Sequence, residues 1–419
     1  MINLHLDIET YSETDLKKHG VYKYAECTSF EILMISYAFD DEPVSIVDLK
    51  QGEQMPKRLS DALTDPTVLK WAHNALFERV CLTAFGIIIP INQIRCTAVL
   101  CGFSGYPMAL GDVSKEMELG TYGKSSTGTA LIRYFCVPCK PTKTNGGRTR
   151  NLPHHAPEKW IEFLAYCVQD TVAERKIENN LSYVVVPQWE KDAYVQDQEI
   201  NDRGVRVDWD LIQNALSIDA ENKAAIRDEL IELTGLANPN SIQQLAGWLS
   251  DHFNRKIKKL DKEAVLLLLD ENCSDAVNAV LLLKQKLAKT SISKYKAAFR
   301  YRCNDGRCRG LFQFNGARTG RWAGRAVQLQ NLPRNYVEPL EDINEDFRVE
   351  DFIYLAAVYG DEISNIQSQL IRTMFVPKIG HTFAVADFSA IEARVIAWLA
   401  GEKWRLDVFA THGKIYEAS

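Results

Sequence analysis

The chain has 419 residues, of which 46% are hydrophobic and 25% charged, and a formal net charge of -6. It is too long for one ordinary core, so two or three domains are expected. No apolar run reaches the ~18 residues of a membrane span and the N-terminus reads as an alternating strand rather than a signal peptide, so a cytosolic protein is expected.

Residues 1 to about 185 read as an α/β unit. Alternating or β-branched patterns predict strands at Ile2 to Glu9, Glu31 to Phe39, Val44 to Leu49 and Val68 to Ala72. Helical spacing predicts helices at Leu76 to Phe85, Arg95 to Gly102, Leu131 to Phe135 and Pro157 to Leu181, the last opening on a proline suited to a first helical position. Three acidic clusters punctuate the unit. Asp7 and Glu9 end the first strand on one face, because residues i and i+2 share a face. Asn74 and Glu78 follow a later strand, and Tyr166 and Asp170 lie one turn apart on the long helix. Taken singly, each has an ordinary explanation as a solvated strand edge, a turn or a helix-surface hydrogen bond.

Between Lys140 and Pro153 a Gly146-Gly147 loop carries four bases and is either a solvated loop or a contact to a nucleic-acid strand. From Pro187 to about Arg302 the pattern turns helical. A helix over Trp189 to Asn201 stops at Arg203-Gly204, and a short strand, Val205 to Asp208, precedes a long helix to Thr234-Gly235. Asn238-Pro239-Asn240-Ser241 caps the next helix, and another covers Ser274 to Tyr301. Lys284 to Arg325 holds twelve basic residues, Lys289 and Lys294 among them, and one acid, Asp305; this predicts a phosphate-facing surface on an acidic protein. It leads into a Thr319-Gly320-Arg321 turn and Gln330-Asn331-Leu332-Pro333-Arg334. Glycines admit backbone amides to phosphates and arginines pair with them bidentately. Glu338 to Glu350 reads as an acidic linker, followed by a helix ending near Tyr359.

The last informative stretch is Val385-Ala386-Asp387-Phe388-Ser389-Ala390-Ile391-Glu392-Ala393-Arg394. Its pattern predicts a buried strand that brings Asp387 to the rim of a sheet just before a helix. The ten cysteines are expected to be reduced and buried, with zinc or redox pairing of Cys136-x-x-Cys139 and Cys303-x4-Cys308 a minor alternative.

In this order the motifs resemble those of the family A DNA polymerases. Asp-Phe-Ser-x-Ile-Glu-x-Arg resembles motif A, and the resemblance implies that Asp387 binds metal, that Glu392 gates the sugar, and that Ile391 and Arg394 lie beside the nucleotide. Thr-Gly-Arg with Gln-Asn-x-Pro-Arg is similar to the primer-template motif, which implies DNA contacts by Arg318, Arg321, Gln330, Asn331 and Arg334, with Lys289 and Lys294 adjoining. The three acidic clusters resemble the motifs of the tyrosine-containing DEDD 3′–5′ exonucleases. They imply Asp7, Glu9 and Asp170 as metal ligands, Glu78 as ligand or outer-shell acid, Tyr166 as the group orienting water, and Asn74 as a DNA contact. The family pattern has Asp where this chain has Glu78, and many relatives have Gln where it has Ala390.

The resemblance implies a ribonuclease H-like α/β exonuclease over 1–185, a helical thumb over 186–308, part of an α+β palm over 309–402 and the start of the fingers over 403–419. It further implies two Mg2+ or Mn2+ ions per active site, dNTP substrates, and primer-template DNA and single-stranded 3′ ends as partners, in a bacterial or phage-infected cytoplasm. No counterpart of the fingers helix or the second palm carboxylate follows Ser419. The expectation is therefore a fragment, or a split polymerase completed by a second chain, with the exonuclease as the part able to work alone. The alternatives are a stand-alone 3′–5′ exonuclease and a catalytically silent DNA-binding remnant.

Overall fold

Strand β1 (Ile2–Tyr11) turns Leu4, Leu6 and Ile8 into one core and His5, Asp7 and Glu9 toward the other face of a mixed sheet. The computed structural model describes residues 2–124, 127–271, 273–287, 292–411 and 413. Among these, β1 runs antiparallel to β2 (Glu31–Phe39), which pairs in turn with β3 (Ser45–Val47). On its other side β1 is parallel to β4 (Val68–Ala72), and β4 to β5 (Ile94–Cys96). The strand order is β3-β2-β1-β4-β5. These are the predicted strands with one addition. The residues expected to begin a helix at Arg95 form β5 instead, because pairing of Trp71 with Arg95 claims them for the ladder.

Helices α1 (Leu16–Ala25), α2 (Lys57–Thr64), α3 (Leu76–Ala84), α4 (Thr97–Phe103), α5 (Leu110–Glu116), α6 (Gly128–Phe135) and α7 (Pro157–Asn180) surround the sheet. Gly20 interrupts α1 with φ 74°, and a Cβ there would meet the Tyr301 ring at 2.6 Å. Only glycine meets both conditions cheaply. Helix α7 covers one sheet face, where Trp160, Phe163 and Tyr166 share a core with Tyr11, Leu33 and Met34.

Helix α8 (Gln188–Arg203) ends at Gly204, with φ 58°, and short β6 (Val205–Arg206) pairs with β7 (Arg307–Cys308). Helix α9 (Trp209–Thr234) is closed by left-handed Gly235, as the sequence predicts, and is capped by the carboxylate of Asp208, a residue expected to end the strand instead. Helices α10 (Ile242–His252), α11 (Lys262–Leu269) and α12 (Asp275–Leu287) form a separate core with the distal part of α9. The helix expected over Ser274 to Tyr301 is seen as α12 and α13 (Ile292–Tyr301); Lys289 lies outside the described residues. A hairpin of β8 (Phe312–Gln313) and β9 (Ala323–Gly324) follows, and Phe314 and Trp322 from it join the sheet core.

The acidic stretch expected as a linker is helix α14 (Leu340–Val349). Leu340, Ile343 and Phe347 line one side at helical spacing and join the core around α9, with Phe347 fully buried, so the acids serve only the solvent face. Helices α15 (Phe352–Tyr359) and α16 (Ile363–Gln369) complete this core.

By compactness the chain divides into Met1–Val376 and Pro377–Ser419. The second segment contains α17 (Ile391–Ala400) and α18 (Lys403–Thr411). The buried strand expected before α17 is not formed: residues 381–388 are irregular and exposed, with Val385 at 91%. A strand needs a neighbour for its N–H and C=O groups, and no described strand lies beside this stretch. No helix of the described residues is long and apolar enough to cross a membrane.

Candidate active site

Three elements carry the sheet-side acids. β1 presents Asp7 and Glu9, the first turn of α3 presents Glu78, and one face of α7 presents Tyr166 and Asp170. Burial, then the nearby Asp170 carboxylate, pushes Asp7 up to about 8. Burial, then Asp7, holds Glu9 well above the carboxylate range, and the same two causes act on Glu78. Asp7 thus makes ionisation of Glu9 and Glu78 harder, and Asp170 does the same to Asp7 and Glu9. Asp7, His73, Asn74 and Asp170 line one cavity of about 660 Å3. Asn74 sits in the left-handed region with φ 70°, which asparagine tolerates. His73 bonds Thr97 Oγ1 at 3.0 Å and the Met108 carbonyl at 2.8 Å, and burial lowers it to about 4, so it is neutral there.

Glu78 Oε2 and Asp170 Oδ1 are buried with no hydrogen-bond partner. Unpartnered hard oxygens among mutually repelling acids suit a divalent cation. By donor chemistry the residues fit magnesium or manganese, although among the described residues no three His, Cys, Asp or Glu side chains stand in a ligating group. The cysteines are free, and Cys136 and Cys167 direct their thiols at Glu9 (3.7 Å) and Asp7 (3.5 Å).

Tyr166 is buried at 3% exposure against Gly128, where a Cβ would come within 2.1 Å of the ring. Burial, then Asp170, raises its phenol, so it stays protonated.

Motif reasoning missed three contributors. Lys124 Nζ is 3.0 Å from Asp170 Oδ2 and 5.4 Å from the Tyr166 ring centre; it stands in a loop without periodicity or motif. His5 and Glu174 form a buried pair at 2.7 Å. Glu174 lies one turn beyond Asp170 and His5 two residues before Asp7, so face-sharing could have flagged both.

The second group of predicted residues lies around the β8–β9 hairpin. Arg318, Arg321, Gln330, Asn331 and Arg334 are exposed there, along with Arg325. Much of the adjoining basic run is used inside the fold. Lys294 donates to the Val327 carbonyl at 2.7 Å, Arg302 lies over the Trp209 ring at 4.4 Å, Arg307 binds the Arg203 and Gly204 carbonyls, and Arg309 pairs with Asp305. The phosphate-facing surface is correspondingly smaller than the count of twelve suggested, because a guanidinium can satisfy buried carbonyls as readily as phosphates.

In Pro377–Ser419, Asp387 is exposed on the irregular stretch, and Ile391, Glu392 and Arg394 form the start of α17. Arg394 Nε donates to the Ser389 carbonyl at 2.8 Å and its guanidinium lies over Phe409.

Residues 212–419 match DNA polymerase family A. The chain is 50% identical over 421 residues to a DNA polymerase of Bacillus phage SP02, an alignment covering 100% of this chain and 64% of that protein. It is 25% identical over 418 residues to DNA polymerase I of Synechocystis sp., covering 91% of this chain and 37% of the relative. Among solved structures it is similar to the POL domain of Pol1 from M. smegmatis, determined in complex with DNA primer-template and dNTP. The TM-score is 0.53 at 16% identity, over 97% of this chain and 61% of that one, a likeness of fold. The chain thus spans less than two thirds of the length of these relatives. The family match over the C-terminal part and the phage relative over the whole length together place this chain in DNA polymerase family A.

Proposed function

We propose that residues 1–185 form a 3′–5′ exonuclease that proofreads for a DNA polymerase. In this reading 186–308 is its thumb, 309–402 part of its palm and 403–419 the start of its fingers. The observation that carries the nuclease reading is that Asp7 from β1 and Asp170 from α7 line one cavity, while Asp170 Oδ1 and Oε2 of Glu78, from α3, are buried without partners. Asp7, Glu9 and Asp170 would hold two Mg2+ or Mn2+ ions, with Glu78 as ligand or outer-shell acid. Bound, such ions lower the pKa of water and stabilise charge at phosphorus. Tyr166, kept protonated by burial and Asp170, orients the attacking water in line with the bond to be broken. Asn74 lines the cavity that would receive the 3′-terminal nucleotide. In this reading the two glycines and the bases of the Lys140 to Pro153 loop would track the incoming strand.

Polymerisation in DNA replication is the reading for the remainder. Family membership supports it, as does the exposed group of Arg318, Arg321, Gln330, Asn331 and Arg334, suited to primer-template phosphates and sugars. Asp387 would bind a catalytic metal and Glu392 would face the sugar of a dNTP. Both lie beside a stretch whose Val385 and Phe388 are exposed at 91% and 78%. Apolar side chains so open favour cover by further polypeptide, in cis or from a second chain, before this site works.

The test is digestion of a labelled single strand by the purified chain in Mg2+. Shortening from the 3′ end, lost in Asp7→Ala and with EDTA, is expected. Absence of shortening above background would favour a silent DNA-binding remnant. Primer extension with all four dNTPs is expected to fail for this chain alone, and incorporation would remove the need for further polypeptide.

A further inference from the structure

Lys124 is the residue of the acidic cavity that the nuclease reading leaves without a role. Its ammonium is 3.0 Å from Asp170 Oδ2, its side chain is 34% exposed, and it lines the same cavity as Asp7 and Asp170. Asp170 itself is 6% exposed and keeps its other oxygen, Oδ1, unpartnered. Of the residues lining the cavity, only Arg325 besides Lys124 is a fixed cation, and it comes from the β9 side. One ammonium therefore serves the acids of the cavity floor, and it is tied to them by a single bond at the end of a flexible stem.

Such a contact has two states open to it. While Asp170 is free, the carboxylate is the nearest anion. Once Asp170 lends its oxygens to a divalent cation, the ammonium loses that partner and faces added positive charge. The next anion in reach is then a phosphodiester lying in the cavity. We propose that Lys124 is a phosphate-binding residue of the exonuclease, which guards Asp170 in the metal-free protein and passes to the scissile phosphate when metal and DNA are bound. The inference rests on the nuclease reading above. In the step it serves, the water oxygen bonds to phosphorus and gives up a proton to solvent, and the P–O3′ bond breaks with its electron pair on O3′, which takes a proton from solvent. Lys124 exchanges no proton in this step and acts by charge on the phosphoryl oxygens.

Two consequences separate this role from mere structural support. A lysine that competes for Asp170 weakens metal binding, so its removal strengthens it. A lysine that binds the phosphate in the transition state raises turnover, so its removal lowers it. The experiment compares the full chain with Lys124→Gln and Lys124→Arg. Mn2+ affinity is read by calorimetry without DNA, and kcat and KM by digestion of a labelled single strand. Lys124→Gln is expected to bind Mn2+ about tenfold more tightly and to lose about 10²-fold to 10³-fold in kcat, the usual cost of one preorganised donor. Lys124→Arg, which keeps the charge, should recover most of the turnover. Unchanged Mn2+ affinity or unchanged kcat in Lys124→Gln would each overturn the proposal. If the unaltered chain binds Mn2+ and digests DNA while Lys124→Gln behaves like it, only the assignment of Lys124 falls. If the unaltered chain does neither, the nuclease reading falls with it.

Discussion

Arg79 and Asp202 are joined by two bonds of 2.7 Å, from Nη1 and Nη2 to the two carboxylate oxygens. Tyr22 adds a third contact, its hydroxyl donating to Asp202 Oδ1 at 2.6 Å. Arg79 is the neighbour of Glu78 on α3, and Asp202 is near the end of α8, so the helix presenting one acid of the candidate site is tied to the helix that follows the sheet region.

Breaking this pair should therefore be felt twice. Arg79→Ala leaves the Asp202 carboxylate with only the Tyr22 hydroxyl and removes the donor to Gln198 Oε1, and loss of one member of a buried pair costs about 3–5 kcal/mol; the partial exposure of Asp202, 33%, argues for the lower end. Urea unfolding reads that loss. The same variant should digest DNA more slowly, because Glu78 is no longer held. Full activity alongside reduced stability would show that Glu78 is positioned by α3 alone.

Tyr166 owes its position to the bare Cα of Gly128. Gly128→Ala would put a methyl carbon 2.1 Å from the Tyr166 ring, and overpacking of this kind costs about 1–3 kcal/mol. A displaced phenol should lower kcat by about 10²-fold, the scale associated with a shift of 1 Å in a positioned group. Kinetics like those of the unaltered chain would mean that Tyr166 does not orient the water.

Asp197 supplies a pH dependence of its own. Its Oδ2 accepts from Gln198 at 3.0 Å and Asn201 at 3.2 Å, while Oδ1 is buried without a partner. Burial raises it from 3.8 to about 6. The folded state therefore prefers the neutral acid, a contribution present below the unfolded pKa and lost as pH rises through the folded one. Asp197→Asn should stabilise the protein by about 1–3 kcal/mol at pH 8 and by much less at pH 4. Thermal unfolding at the two pH values checks this, and an equal effect at both would rule out titration of Asp197 as the cause.

The irregular stretch before α17 should be the first point of proteolysis. Phe383 and Phe388 are 49% and 78% exposed and lie outside any helix or strand, the setting in which a protease can fit the backbone. Brief chymotrypsin treatment followed by mass spectrometry should give a product ending at one of them. First cuts at exposed Tyr183 or Tyr336 instead would show that 381–388 is protected.

Much of the architecture was written locally. Strands β1, β2 and β4, helix α7, the Ser241 cap and the Gly204 and Gly235 stops follow from periodicity and capping chemistry, which neighbouring residues decide among themselves. Motif spacing likewise named Asp7, Glu9, Glu78, Tyr166 and Asp170, since alternation along a strand and one turn of a helix determine which of them share a face. Tertiary structure decided the rest. Ile94–Cys96 became a strand because β4 lay beside it, and Leu340–Val349 a helix because Phe347 found a core against α9. Residues 381–388 did not become a strand, because a ladder needs a partner that no local pattern supplies. Whether a cation guards an acid depends only on distance through space. That is why the loop lysine at 124, silent in the sequence, came to stand 3.0 Å from Asp170.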